Sequence, residues 1–225
     1  MVRSSSAKYL DTVQPDWDDL PLACELLELR CREPDGDLQA LAQNRGAVGS
    51  SKIKGVFRLL EALDLLDEGD LTNRGRWLAV SYEPATQQSQ RGSRLGIGVK
   101  ASLSSTEQLL LWMAIYYEHR LPMLAALHQL SMENVPVTQD SPAAQRLGER
   151  IGYLYPDVDS AKSWVPRAKV HYRWLVHLGL AKTRSNKYVL TAVGEGFFAR
   201  VGGDCPNEWD TIQIYSGPTL LDFDE

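Results

Sequence analysis

Cysteine is scarce in this chain. Only Cys24, Cys31 and Cys205 occur in 225 residues. An odd, widely spaced set argues against a disulfide framework and for a reducing, cytoplasmic setting. Histidine is also sparse, and His119, His128, His171 and His177 lack the His-Glu-x-x-His spacing of a zinc site. There is no Cys-x-x-Cys pair and no Gly-x-Ser-x-Gly elbow. Pro156-Asp157-Val158-Asp159 with Lys162 has the wrong spacing for a metal-dependent nuclease. Gly96-Ile97-Gly98 with Ala101 fits a dinucleotide loop in spacing alone, because no strand pattern precedes it. Long apolar runs are missing as well. The longest, Leu109 to Tyr117, is half of the roughly 18 residues that cross a bilayer. Met1 to Lys8 has no signal-peptide apolar core. These absences lead us to expect a non-enzymatic protein of the cytoplasm, with no metal, no cofactor and no membrane partner.

What is present is an uneven charge. The net charge of −5 conceals −5 over residues 1–40, +7 over residues 160–200 and −6 over residues 201–225. In the basic block, eight Lys and Arg face Glu195 alone. Segregation of this kind points to an anionic partner for one part of the molecule. Hydrophobic residues at 44% and charged residues at 24% are those of a folded chain.

Apolar periodicity divides the chain. Leu20 to Leu29 reads as a helix, Pro34 to Asp37 as a turn and Leu38 to Gln43 as a short helix. Lys52 to Leu63 reads as a third helix with Ile53, Val56, Leu59, Leu60 and Leu63 on its apolar face. Leu65-Leu66 and Leu71-Thr72 flank an acidic tip as a hairpin, and a closing helix starts near Arg74. Residues 84–103 are polar and read as a linker. Ser104-Ser105-Thr106-Glu107 is a capping box before a helix to about His119, with another helix over 121–130. Ser141-Pro142 starts a further helix, and Asp159 or Ser160 caps a stretch running to Leu178. A second hairpin surrounds Arg184 to Lys187. Helix 106–119 is apolar nearly all round, so it is central or shared with a partner.

The two halves repeat one pattern. Arg58-Leu59-Leu60 with Leu63 and Leu65 matches Arg173-Trp174-Leu175 with Leu178 and Leu180. Leu71-Thr72-x-x-Gly75 matches Leu190-Thr191-x-x-Gly194. The two offsets differ by four residues inside the hairpin tip, where insertions are tolerated. Duplication of one small unit accounts for this.

Helix, short helix, helix, hairpin and a closing Leu-Thr-x-x-Gly resembles the winged helix-turn-helix superfamily. The resemblance covers roughly residues 20–80 and 105–201, and residues 131–155 depart from it as an insertion. It implies a mainly α fold with small β-hairpins, built as two winged-helix units in tandem. The implied divisions are a first unit with its N-terminal extension over 1–83, a linker over 84–103, a second unit over 104–201 and an acidic tail over 202–225. It also implies duplex DNA as partner, with the third helix in the major groove and the wing on phosphates. In the second unit Lys162, Ser163, Arg167, Lys169 and Arg173 fall on or near that helix, and Lys182, Arg184 and Lys187 on the wing. In the first unit Lys52, Lys54 and Arg58 take the corresponding place, beside a wing whose Asp64, Asp67, Glu68 and Asp70 would repel phosphate. Tandem units of this order and size also resemble the kite family of chromosome-organising ATPase complexes. That resemblance implies an assembly subunit, with a protein partner or a homodimer formed through the first unit or helix 106–119. A specificity module of a restriction or phage-defence system is a third reading.

Overall fold

The computed structural model describes residues 15–44, 49–81, 103–137, 143, 146–148, 150 and 164–205. The expected helix at Ser141 is described only at 143, 146–148 and 150. Residues 84–102 of the expected linker, Lys162, Ser163 and the tail beyond Cys205 lie outside the described residues, whereas Leu103 at its end is buried in the core. Among the described residues the chain is mainly helical, with two small antiparallel sheets.

A 3-10 turn, Pro15–Asp18, leads into α1 (Leu20–Arg32), which Asp19 caps by accepting the Leu22 N–H. The helices α2 (Leu38–Asn44) and α3 (Ser50–Ala62) follow. A hairpin of β1 (Leu66–Asp67) and β2 (Asp70–Leu71) leads to α4 (Asn73–Val80). The long α5 (Ser105–Met132) starts at the expected capping box, with Ser104 and Glu107 bonded in both directions. Its backbone leaves helical geometry at His119, three residues before Pro122. Proline lacks the N–H and its ring crowds the carbonyl four residues back, so a bend belongs there. The two helices expected over this stretch, one to about His119 and one over 121–130, are both present and meet at this kink. Then come β3 (Val135–Pro136), α6 (Trp164–His177), β4 (Ala181–Arg184), β5 (Lys187–Leu190) and α7 (Ala192–Val201). The second sheet has the order β3-β5-β4. Its β3 comes from the insertion and was not foreseen.

The duplicated pattern recurs bond for bond. In the first unit Leu65 N donates to Leu60 O and Asp64 N to Glu61 O, which closes the end of α3. In the second unit Leu180 N donates to Leu175 O and Gly179 N to Val176 O. This is the Schellman closure, and it needs a left-handed residue. Asp64 (φ 55°) and Gly179 (φ 74°) supply it. The threonine hydroxyls then tie the hairpin to the next helix. Thr72 Oγ1 donates to Asp64 O and Thr191 Oγ1 to Gly179 O, both at 2.7 Å. The same oxygens accept from Gly75 N and Gly194 N. A side chain at Gly75 would collide with the Leu65 carbonyl oxygen, and one at Gly194 with that of Leu180. The Leu-Thr-x-x-Gly signature is thus a backbone requirement: threonine caps the helix, and glycine lets helix and hairpin approach.

The two units share one apolar core. Trp17 is fully buried, and its carbonyl accepts a hydrogen bond from Trp174 Nε1 at 2.7 Å. The 3-10 turn thereby lies against α6. Arg74 of α4 bonds Glu118 of α5 at 2.9 Å and adds a second link between the units.

Candidate nucleic-acid interface

Among the described residues, the second hairpin carries three exposed basic side chains. Its two-residue loop, Ser185-Asn186, has positive φ at both positions (48° and 58°). That geometry matches the twist of a tight hairpin, and asparagine tolerates it well. Strand alternation then fixes the side-chain directions. Lys182 pairs across the ladder with Val189, and Arg184 with Lys187. Lys182, Arg184 and Lys187 therefore share one face, and all three are exposed. No ion pair engages them among the described residues. Like charges directly opposite each other destabilise a ladder, so the Arg184–Lys187 pair is a local penalty that an anion would relieve. The opposite face of the hairpin is apolar at its base. Tyr188 is buried there and stacks on Tyr172 at 5.4 Å between ring centroids. Burial raises the pKa of both phenols, and at Tyr188 the hydrogen bond and charge of Arg173 oppose the rise.

The helix before this hairpin offers less than expected. On α6 Lys169 is half-buried, and Val170, His171, Tyr172, Trp174 and Leu175 are buried. Arg173 pairs with Asp18, and its side chain is 43% exposed. In the first unit Lys52 Nζ reaches the same carboxylate at 2.5 Å. Two of the predicted phosphate contacts, Lys52 and Arg173, thus hold a carboxylate whose side chain is only 9% exposed. A buried carboxylate needs such partners to stay charged. The physical reason is the 3-10 turn, which covers the face of α6 that carries Arg173. Arg167 lies within α6.

Lys54 and Arg58, by contrast, stand exposed one turn apart on α3, and no ion pair engages them among the described residues. The first hairpin beside them carries exposed Asp67, Glu68 and Asp70. Asp70 pairs with Arg30, and Asp64 with Arg74 at 3.4 Å. The two hairpins therefore share a fold pattern and differ in sign. Between α3 and the second hairpin lies a cleft of about 450 Å³, lined in part by Asp18, Lys52, Arg173, His177, Thr183 and Tyr188.

Among the described residues no group of three His, Cys, Asp or Glu side chains could hold a metal ion. His119 is buried beside His171, and burial together with that neighbour lowers its pKa to about 3, so it is neutral at pH 7. No helix among the described residues is long and apolar enough to cross a membrane. Three features escaped the sequence reading: Asp18 as the anion for Lys52 and Arg173, Trp17 as the plug against α6, and the bidentate Arg146–Glu133 pair. The first two join residues 34 to 157 positions apart, which no local pattern encodes. No protein-family model, curated protein or solved structure matches the chain.

Proposed function

We propose that the chain is a non-enzymatic, cytoplasmic protein of two tandem winged-helix units that binds duplex DNA through the wing of the second unit. The observation that carries this is the basic face of β4–β5. Three exposed cations stand on one side of a tight hairpin, with no acidic partner among the described residues. Such a face suits phosphate contact, because each neutralised phosphate releases counterions. The opposed Arg184 and Lys187 suit a polyanion better than a single carboxylate. Lys54 and Arg58 on α3 supply a second contact from the first unit, whose own hairpin is acidic. Binding of this kind positions the protein on the backbone and carries little base preference.

The test is anisotropy of labelled duplexes of unrelated sequence at about 0.1 M salt. The parent binds all of them, and Arg184→Ala with Lys187→Ala weakens all of them alike. A double variant that titrates like the parent overturns the wing assignment.

A second reading, a subunit of a multiprotein assembly, is favoured by a different observation. Trp77, Val80, Leu109, Met113 and Tyr117 are each more than half exposed. Recovery of the protein in an obligate complex, with no affinity for free DNA at that salt, would select it.

A further inference from the structure

The apolar surface on α4 and the first arm of α5 is concentrated. Trp77 is 69% exposed, Val80 68%, Leu109 59%, Met113 58% and Tyr117 74%. Leu109, Met113 and Tyr117 are four residues apart, so they form one stripe along α5 before the bend at His119. Beside the stripe Trp77, Leu78, Leu110, Met113, Tyr117 and Arg74 line a groove of about 250 Å³.

Three properties identify the occupant. The first is area. With two aromatic and three aliphatic side chains of about 150–250 Å² each, exposed by roughly two thirds, the five groups present roughly 600 Å² of surface. That is at the upper end of what monomers display, and with its rim it approaches the roughly 800 Å² per partner of a stable interface. The second is symmetry. The stripe is centred on Met113, with one large apolar group a turn before it and one a turn after. An antiparallel copy of α5 would set Met113 against Met113 and Leu109 against Tyr117, as a two-fold interface requires. The third is the rim. Arg74 lies 4.4 Å over the Tyr117 ring and Arg120 5.5 Å over the Tyr116 ring, while Glu118 and Asp64 bring the opposite sign. A rim of mixed sign can meet itself across a two-fold axis, whereas one of single sign would repel.

We propose that this face binds a second copy of the chain, α5 against α5, with the two-fold axis at Met113. The proposal deepens the partner side of the reading above and does not rest on DNA contact.

Sedimentation velocity between about 1 and 100 µM, without DNA, tests it. The parent sediments with twice the chain mass of 25.2 kDa at the upper concentrations. Met113→Glu, which sets like charges together on the axis, sediments as a monomer and keeps the parent's far-UV circular dichroism spectrum and a cooperative thermal transition. Leu109→Glu, one turn away on the exposed stripe, gives the same result and serves if the first variant fails to fold. A parent that stays monomeric at 100 µM overturns the proposal, as does a dimer that survives both substitutions. DNA affinity of the monomeric variant is measured separately, so loss of the dimer and loss of DNA binding are told apart.

Discussion

Replacing Asp18 by Asn perturbs the junction between the units with least change of shape. In the parent its carboxylate joins Lys52 of α3 to Arg173 of α6, and its own side chain is 9% exposed. The Lys52 bond is the better protected, with that side chain 25% exposed. A charge-assisted bond in such a place contributes about 1.5–3 kcal/mol. Arg173 is 43% exposed, so its share falls toward the surface range of about 0.2–1 kcal/mol. Asn keeps one acceptor, which returns part of the loss, and the expected destabilisation is about 2 kcal/mol. In urea, with m near 2 kcal/mol/M, the midpoint falls by about 1 M and the slope is unchanged. A cycle with Lys52→Met gives a coupling of about 1 kcal/mol or more. The same substitution removes one negative charge from beside Lys52 and Arg173, so low-salt affinity for DNA rises while stability falls. A midpoint within about 0.2 M of the parent, or strict additivity in the cycle, would refute the junction as described.

Gly194→Ala drives a methyl group into the Leu180 carbonyl. Displacing that backbone costs about 1–3 kcal/mol, and Gly75→Ala in the first unit costs a similar amount; thermal unfolding of both variants checks that the repeat is one structural device. His119 supplies a pH dependence. Its pKa is about 3 in the folded chain against 6.5 for an ordinary histidine, so below pH 6.5 the unfolded chain takes a proton that the folded one refuses. Its share of stability is therefore complete above pH 6.5 and falls by about 1.4 kcal/mol per unit as the pH drops. Between pH 6.5 and 5, before most carboxylates titrate, His119→Gln shows a flatter decline in denaturant midpoint than the parent. Equal slopes for the two would mean that His119 is not held neutral.

Local signals carried much of the fold. The capping box at Ser104, the hairpins and the repeated Leu-Thr-x-x-Gly depend on residues within a few positions of one another, and the structure contains each of them. The second hairpin's loop is two residues shorter than expected, one on each strand, because Ser185 and Asn186 take positive φ and leave Arg184 and Lys187 within the strands. The two helices on either side of His119 were readable from apolar periodicity, and the kink between them follows from Pro122. Long-range partners stayed hidden. Nothing near Lys52 or Arg173 signals that both turn to Asp18, and Trp17 stands outside any periodic segment. Charge alone therefore did not show that Arg173 and Lys52 turn to a carboxylate. Among the described residues of the +7 block, Arg173 pairs with Asp18, while Lys182, Arg184 and Lys187 stand exposed on β4–β5.

The most direct measurement is the salt dependence of duplex affinity, parent against the Arg184→Ala, Lys187→Ala variant. Each phosphate neutralised adds about 0.9 to the slope of log K against log salt. The parent is expected to bind with a slope that the variant lowers by roughly 1.8, uniformly across duplex sequences. Equal slopes, or a parent that fails to bind at low salt, would contradict the account.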